Sequence, residues 1–205
     1  MTSTLKIDTI TTLDGTGNIT VDRPLAGSGA GLTSLPAANL TGALPAISGS
    51  NLTGVGKVVQ VVTTQTGAVA SNTGTIPHDD TIPTSGEGAE FMSLAITPTS
   101  ATNRLIITMH AMLSCSAAQN ERMLCLFQDS GSAAIAVMNS RQTSQTSAST
   151  DMTVQHSMIA GTTSSTTFKM RAGSGAGTTT FNGTGGNREF GGANVSSITI
   201  WEITV

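Results

Sequence analysis

The densest group of side chains that could bind a metal ion is His78-Asp79-Asp80, between Pro77 and Pro83. An imidazole and two carboxylates are suitable ligands for divalent cations. Three adjacent residues rarely reach one ion unless ligands from elsewhere in the chain join them, and the flanking prolines place the group in a loop. We therefore interpret the tripeptide as a capped turn, and we predict neither a metal site nor a cofactor.

Two further patterns could support hydrolysis. Glu87 and Glu90 form a carboxylate pair of the kind that cleaves glycosides, but they lie in a Gly-rich loop, and only 3% of the residues are aromatic and could stack on a sugar. His110 and His156 could act as bases toward one of the many serines, yet no strand, G-x-S-x-G and helix sequence surrounds a serine. The sequence therefore predicts that the protein is not an enzyme.

The composition limits both the fold class and the partners. Thr, Ser and Gly dominate, and only 10% of the residues are charged, which favours strands and turns over helices with charged surfaces. The nine Lys and Arg residues are scattered and the formal net charge is -3, so we expect no nucleic-acid partner. The most apolar run, residues 105–118, is too short to cross a bilayer, so we expect no membrane insertion.

Cysteine use and the N-terminus indicate the compartment. Cys115 and Cys125 are ten residues apart without neighbouring ligand pairs, which fits neither a disulfide scaffold nor a zinc pattern. We expect free, buried thiols. The N-terminus lacks a charged segment followed by an apolar signal region, so we expect assembly in a cytosol.

The first 56 residues differ in composition and sequence pattern from residues 57–205. Residues 1–30 predict an N-terminal segment with two short strands around Asp14-Gly15, a dipeptide suited to a tight hairpin. Residues 31–56 repeat Leu-Pro-Ala and Asn-Leu-Thr-Gly at a spacing of twelve. Proline imposes extended backbone, and Asn and Gly favour corners. We predict an extended repeat shaft, with a disordered linker as the alternative.

The shaft predicts a trimer. Burying a few apolar side chains within one chain does not offset the entropy lost on ordering the segment, so packing between three chains around a shared axis supplies the missing contacts. The apolar residues predicted to pack in this trimeric shaft are Leu32, Leu35, Leu40, Leu44, Ile47, Leu52 and Val55.

Residues 57–205 predict an all-β head built as an antiparallel, jelly-roll-like β-sandwich. Short strand-like runs alternate with turns, and short connections favour antiparallel pairing. The nine predicted strands are Val58 to Thr64, Phe91 to Thr97, Arg104 to Leu113, Met123 to Gln128, Ala133 to Asn139, Met152 to Ala160, Thr166 to Arg171, Thr178 to Asn182 and Val195 to Val205.

One predicted strand indicates a covered outer surface. Every second residue from Leu105 to Leu113 is apolar and suits a core. Ile106 and Met112 are apolar on the opposite face, which a strand exposed to water would not favour. We expect part of that face to be covered by a neighbouring subunit.

Candidate contact residues lie in the loops between strands, because loops on a rigid sandwich usually carry recognition. They are Arg141, Gln142, Asn187 and Arg188. The sole tryptophan, Trp201, has two interpretations. It packs in the core or between subunits, which we favour, or it is a receptor contact.

Several ordered segments together resemble tail-fibre and related virion-fibre proteins of bacteriophages, especially those of marine hosts. These segments are "KIDTITTLDGTGNITV" at residues 6–21, the two repeats, residues 76–107, and "GTTSSTTFKMRAGSGAGTTTFNG" at residues 161–183. The resemblance covers most of the chain. The shaft is short for a fibre, and residues 141–151 match nothing in the family.

The resemblance implies a structural protein of the virion surface, assembled in the bacterial host cytoplasm. It implies a homotrimer whose residues 1–30 attach to another virion protein and whose head contacts a bacterial surface receptor, either a polysaccharide or an outer-membrane protein. The alternative is a head fibre or capsid-decoration protein that stabilises the shell and binds no receptor.

Overall fold

The computed structural model describes residues 57–118, 120–141 and 146–205. The predicted N-terminal segment, the whole predicted shaft and Gln142 lie outside these residues. The described part is all-β, as predicted, with one short 3-10 turn at Phe190–Gly192. Its strands are β1 Val58–Thr66, β2 Ala70–Asn72, β3 Ala89–Ile96, β4 Arg104–Cys115, β5 Glu121–Gln128, β6 Ala136–Arg141, β7 Ser149–Ile159, β8 Thr166–Ser174, β9 Thr179–Phe181, β10 Gly183–Thr184, β11 Asn187–Arg188 and β12 Ser196–Ile203.

The eight longest strands pair in a nested order. Strand β1 pairs with β12, β3 with β8, β4 with β7 and β5 with β6, all antiparallel. The four strand pairs together form one long antiparallel ribbon. Folding this ribbon over on itself places β12 beside β4 and β8 beside β5. The result is two facing sheets in the order β1-β12-β4-β7 and β3-β8-β5-β6. This connectivity confirms the predicted jelly-roll sandwich.

The core lies between the two sheets. Alternate residues of β4 from Leu105 to Leu113 have no exposed surface, which confirms the predicted apolar face. They pack against apolar residues of the opposite sheet, among them Leu124, Leu126 and Phe168. Period-two alternation therefore selects which face of each strand enters the core.

Part of the outer face of the second sheet is covered by the chain itself. The β2–β3 connection passes over it, and Ile76 packs on Met123, Cys125 and Phe127 in a small second core. A Cβ at Gly173 would lie only 2.7 Å from the Ile76 side chain, so glycine permits this close approach.

Both cysteines are free and buried, as expected from their spacing. Burial raises the pKa of the Cys125 thiol to about 12, so the reactive thiolate is strongly disfavoured there.

Met112 is covered within a single chain, contrary to the expectation of a neighbouring subunit at this position. It is 3% exposed and lies beside Glu189, Phe190 and Ala193 of the connection into β12. Ile106, on the same face of β4, stays partly exposed. The sequence could not separate the two residues, because the connection that covers Met112 comes from a distant part of the chain.

A buried carboxylate joins three segments where β12 ends. Glu202 has no exposed surface. It accepts hydrogen bonds from Gln60 Nε2 at 2.6 Å, Thr99 N at 2.8 Å and Asn103 Nδ2 at 2.6 Å. Burial alone raises the pKa of this carboxyl, but the hydrogen bonds from Gln60, Asn103 and Thr99 outweigh burial and lower it to about 2.

Glu202 therefore makes folding pH-dependent. Its pKa is lower in the folded chain than its ordinary value of 4.5, so its contribution is complete above pH 4.5 and is lost as the pH falls toward 2. The contribution is about 3 kcal/mol of unfolding free energy. In Glu202→Gln, urea unfolding from pH 7 to pH 2 should show a smaller acid-linked loss, from a lower stability at pH 7. Exposed Glu90→Gln is the control and should keep the wild-type profile. A wild-type profile in Glu202→Gln would contradict this assignment.

Candidate functional site

The sandwich has two ends of different character. At one end, which we call the base, Arg104 of β4 pairs with Ile203 and Ile159, and Lys57 O accepts a hydrogen bond from Thr204 N at 2.8 Å. At the other end, which we call the tip, Ser114 pairs with strands β7 and β9. With a rise of about 3.3 Å per residue, the twelve residues of β4 separate base and tip by about 36 Å.

The tip gathers the β4–β5, β6–β7 and β8–β9 connections and the β10–β11 hairpin. Across the first and third connections, Ser116 N donates to Thr178 O at 3.0 Å and Thr178 N donates to the Ser116 hydroxyl at 2.8 Å. Ser147 N, in the β6–β7 connection, donates to Cys115 O at 2.7 Å. A Cβ at Gly185 would lie 3.9 Å from Ser147 Oγ, so the hairpin adjoins the same connection. These four segments form a continuous surface.

Three of the four predicted contact residues lie at this tip. Arg141 ends β6, is largely exposed, and its Nε lies 3.3 Å from Glu121 Oε1. Asn187 and Arg188 form β11 and are exposed. Gln142 lies outside the described residues. The fold thus places Arg141 and Asn187, which are 46 positions apart in sequence, at the same end of the sandwich.

A buried arginine beneath the tip was not among the site residues predicted from the sequence. Arg122 has no exposed surface, and its Nη2 donates to Ala148 O, one residue before β7, at 2.6 Å. Its Nε and Nη1 find no hydrogen-bond partner among the described residues. Alternation along β5 could have located it, because Arg122 lies on the same face as Leu124 and Leu126.

Arg122 is energetically less favourable than a buried arginine whose donors are all hydrogen-bonded. Burial lowers its pKa, because removing the guanidinium from water disfavours the charged form. A buried charge with incomplete hydrogen bonding is costly. We infer that Arg122 positions the end of the β6–β7 connection rather than stabilising the sandwich.

The acidic loop near the β2–β3 connection is a capped turn in the structure. Asp79 Oδ1 accepts a hydrogen bond from Thr81 N at 2.8 Å and another from its hydroxyl, and these bonds lower the pKa of Asp79. Among the described residues, no group of three or more His, Cys, Asp or Glu side chains is placed to hold a metal ion. With Ala134 to Val137, the loop lines a cleft of about 490 Å³.

The other candidate catalytic groups are engaged or separated. Glu87 accepts a hydrogen bond from Thr84 N at 2.6 Å, and Glu90 pairs with Lys169 at 3.7 Å. His156 is opposite the inward-facing Ile107, whereas His110 lies three residues further along β4 and so on the outer face. The two histidines therefore do not share a site.

Trp201 lies on the outer face of the first sheet, between Val61 of β1 and Ile106 of β4. It is partly exposed, and it is nearer to the base than to the tip. Its position separates it from the surface that carries Arg141 and Arg188.

No helix of the described residues is long and apolar enough to cross a membrane.

No protein-family model and no curated protein matches the chain. Among solved structures, it is similar to the VP2 subviral particle of infectious bursal disease virus, with 14% identity over 72% of this chain and 38% of that chain and a TM-score of 0.33. It is also similar to the Gx strain of that virus, with 12% identity over 71% and 37% of the two chains and a TM-score of 0.31.

A third similar structure is the enzymatically active domain of tailspike protein 4 of bacteriophage CBA120. Its identity is 14% over 67% of this chain and 19% of that chain, with a TM-score of 0.25. The chain therefore spans well under half of each of these relatives. At these TM-scores, none of them supports a functional assignment.

The assigned role of Arg122 predicts an unusual result for Arg122→Met. The variant removes a costly buried charge together with the bond to Ala148, so we expect an unfolding free energy equal to wild type or higher by about 1 kcal/mol. We also expect faster amide exchange at residues 146–148, because their anchor is lost. Calorimetry and hydrogen exchange measure the two effects.

Arg171→Met is the matched control on the same sheet. Arg171 donates to the backbone oxygens of Glu87 and Gly88, so its loss should destabilise the fold. A large loss of stability in Arg122→Met, with unchanged exchange at residues 146–148, would contradict the positioning role.

Proposed function

We propose that the protein is a non-enzymatic fibre of a bacteriophage particle, which forms a homotrimer and presents the tip of its head to a bacterial surface receptor. One observation carries the proposal. Lys57, where the predicted shaft joins the head, lies at the base, whereas Arg141 at the end of β6 and Asn187 and Arg188 in β11, which were predicted to lie in loops, are at the tip. A fibre whose shaft enters at the base would hold these loops outward.

The roles of the acidic residues favour a structural use of the head. Asp79 caps a turn, Glu87 closes a loop, and Glu202 ties strands together at the base. The resemblance of the N-terminal segment, repeats and head to virion-fibre proteins supports the same conclusion. On that resemblance, residues 1–30 attach to another virion protein, and the receptor is a polysaccharide or an outer-membrane protein.

With three heads in one trimer, weak individual contacts would be enough for attachment to the receptor. Linked binding sites gain up to about 10²- to 10⁴-fold in avidity over one site when geometry allows simultaneous engagement. An exposed tip with Arg141, Asn187 and Arg188 suits shallow, repeated contacts better than a deep pocket. The proposal therefore does not require a buried receptor site.

The trimer has a direct test. Light scattering of the full chain should give three times its 20.7 kDa mass at micromolar concentration, because the shaft cannot bury its apolar residues alone. A monomer at that concentration would refute the homotrimer.

Receptor binding is tested by competition. The purified full chain, added to host cells before infection, should block phage adsorption. Asn187→Ala combined with Arg188→Ala should weaken this block by about tenfold or more, because each lost contact is repeated in three heads. Lys169→Ala is the control, since Lys169 is a basic residue on the outer face of the other sheet, away from the tip. A wild-type chain that does not compete would refute receptor binding.

The competition experiment also addresses the alternative. Particles that lack the protein and leak their genome, together with no competition by the purified chain, would establish shell decoration instead. Equal weakening by the tip variant and by Lys169→Ala would contradict the assignment of the tip.

A further inference from the structure

One sheet face is uncovered by its own chain from the base to the row of His110, and it is unusually apolar near the base. The sheet β1-β12-β4-β7 carries Val61, Trp201 and Ile106 side by side on its outer face. Val61 is 49% exposed and Val58, closer to the base, is 53% exposed. An apolar stripe across three neighbouring strands is typical of a surface that contacts another protein.

The rest of this face carries no formal charge in its central rows. Three rows of outward residues cross the four strands in register. They are Val61, Trp201, Ile106 and Ser157; Thr63, Thr199, Thr108 and Gln155; and Gln65, Ser197, His110 and Thr153. None of them is Asp, Glu, Lys or Arg. The charged side chains Arg104 and Asp151 lie at the two ends of this face, where Arg104 Nη1 is 3.0 Å from Ser157 Oγ and Asp151 Oδ1 is 3.9 Å from His110 Nε2. Depletion of charge at the centre is typical of a protein interface.

The opposite sheet provides the comparison within the same molecule. Its outer face carries Glu90, Lys169 and Arg171 as neighbours, and the β2–β3 connection covers another part of it. Both faces belong to the same chain, so the absence of charge at the centre of the face with Trp201 does not follow from the low overall charge of the protein.

We propose that this face is the contact between the heads of the homotrimer, with Trp201 at its centre and two further copies of the chain as its occupants. This inference rests on the proposed three-chain shaft. A three-chain shaft ending at residue 56 would start three copies of Lys57 close to one axis. Val58 to Val61 follow within about 14 Å of extended chain, so in such a trimer the exposed valines would lie near that axis.

Trp201 reports on this face alone, because it is the only tryptophan in the chain. In the full-length wild type we expect its fluorescence to be blue-shifted and poorly quenched by acrylamide. In Val61→Glu, a carboxylate would enter the contact beside Trp201. We expect the acrylamide quenching constant to rise by about two- to threefold, because an unpaired charge is not tolerated in a buried interface.

Val137→Glu is the matched control. Val137 is 44% exposed and lies on β6 of the other sheet, so the same substitution is made at similar exposure outside the proposed contact. It should keep the wild-type quenching. Thr63→Lys places a charge at an exposed position of the face in the next row, and it should act like Val61→Glu. Far-UV circular dichroism identifies folded variants, and folded Thr63→Lys decides the test if Val61→Glu does not fold.

The outcomes separate this inference from the proposed function. A trimeric mass with a Trp201 that acrylamide quenches freely and equally in wild type, Val61→Glu and folded Thr63→Lys would overturn the head contact and leave the trimer intact. A monomeric mass would refute the trimer itself, and this contact with it. Raised quenching in both face variants, with a wild-type result for Val137→Glu, would support the assignment.

Discussion

Hydrogen bonding on both edges of β4 is the constraint on which the rest of the structure depends. Along one edge it pairs with β7 over nearly its whole length, and along the other it pairs with β12 and then β9. A slip of one residue would turn Leu105 and Leu113 outward and bring Ile106 into the core. The register therefore determines which residues form the core, which form the outer face and which lie at each end.

The same register distributes the functional surfaces. Glu202 lies opposite the buried Leu105 and is forced inward at the base, where Gln60 and Asn103 satisfy it. Trp201, one residue earlier, is forced outward beside Val61. Neighbouring residues of one strand thus serve opposite purposes. One ties the base together, and the other lies on the face that we assign to contacts between subunits.

Sequence patterns predicted the long strands well, because burial on one side of a strand leaves a period-two signal. All nine predicted strands of the head are present, and most bounds agree within three residues. No sequence pattern predicted β2, β10 and β11, which are two or three residues long. Such short strands form only where a distant segment of backbone lies beside them, so the local sequence carries no pattern that would predict them. Of the predicted contact residues, Arg141, Asn187 and Arg188 share the tip, but their proximity depends on the roll of the sheets.

By itself, the sequence determined the all-β class, the strands of the head and the apolar face of β4, because these follow from local alternation, turn residues and low charge. Only the tertiary structure decided that Met112 is covered by its own chain while Val61 and Trp201 are left uncovered. It alone placed Arg122 beneath the tip and Glu202 inside the base. The physical reason is that burial of a side chain depends on which distant strand or connection lies over it, and pairing across the whole chain sets that choice.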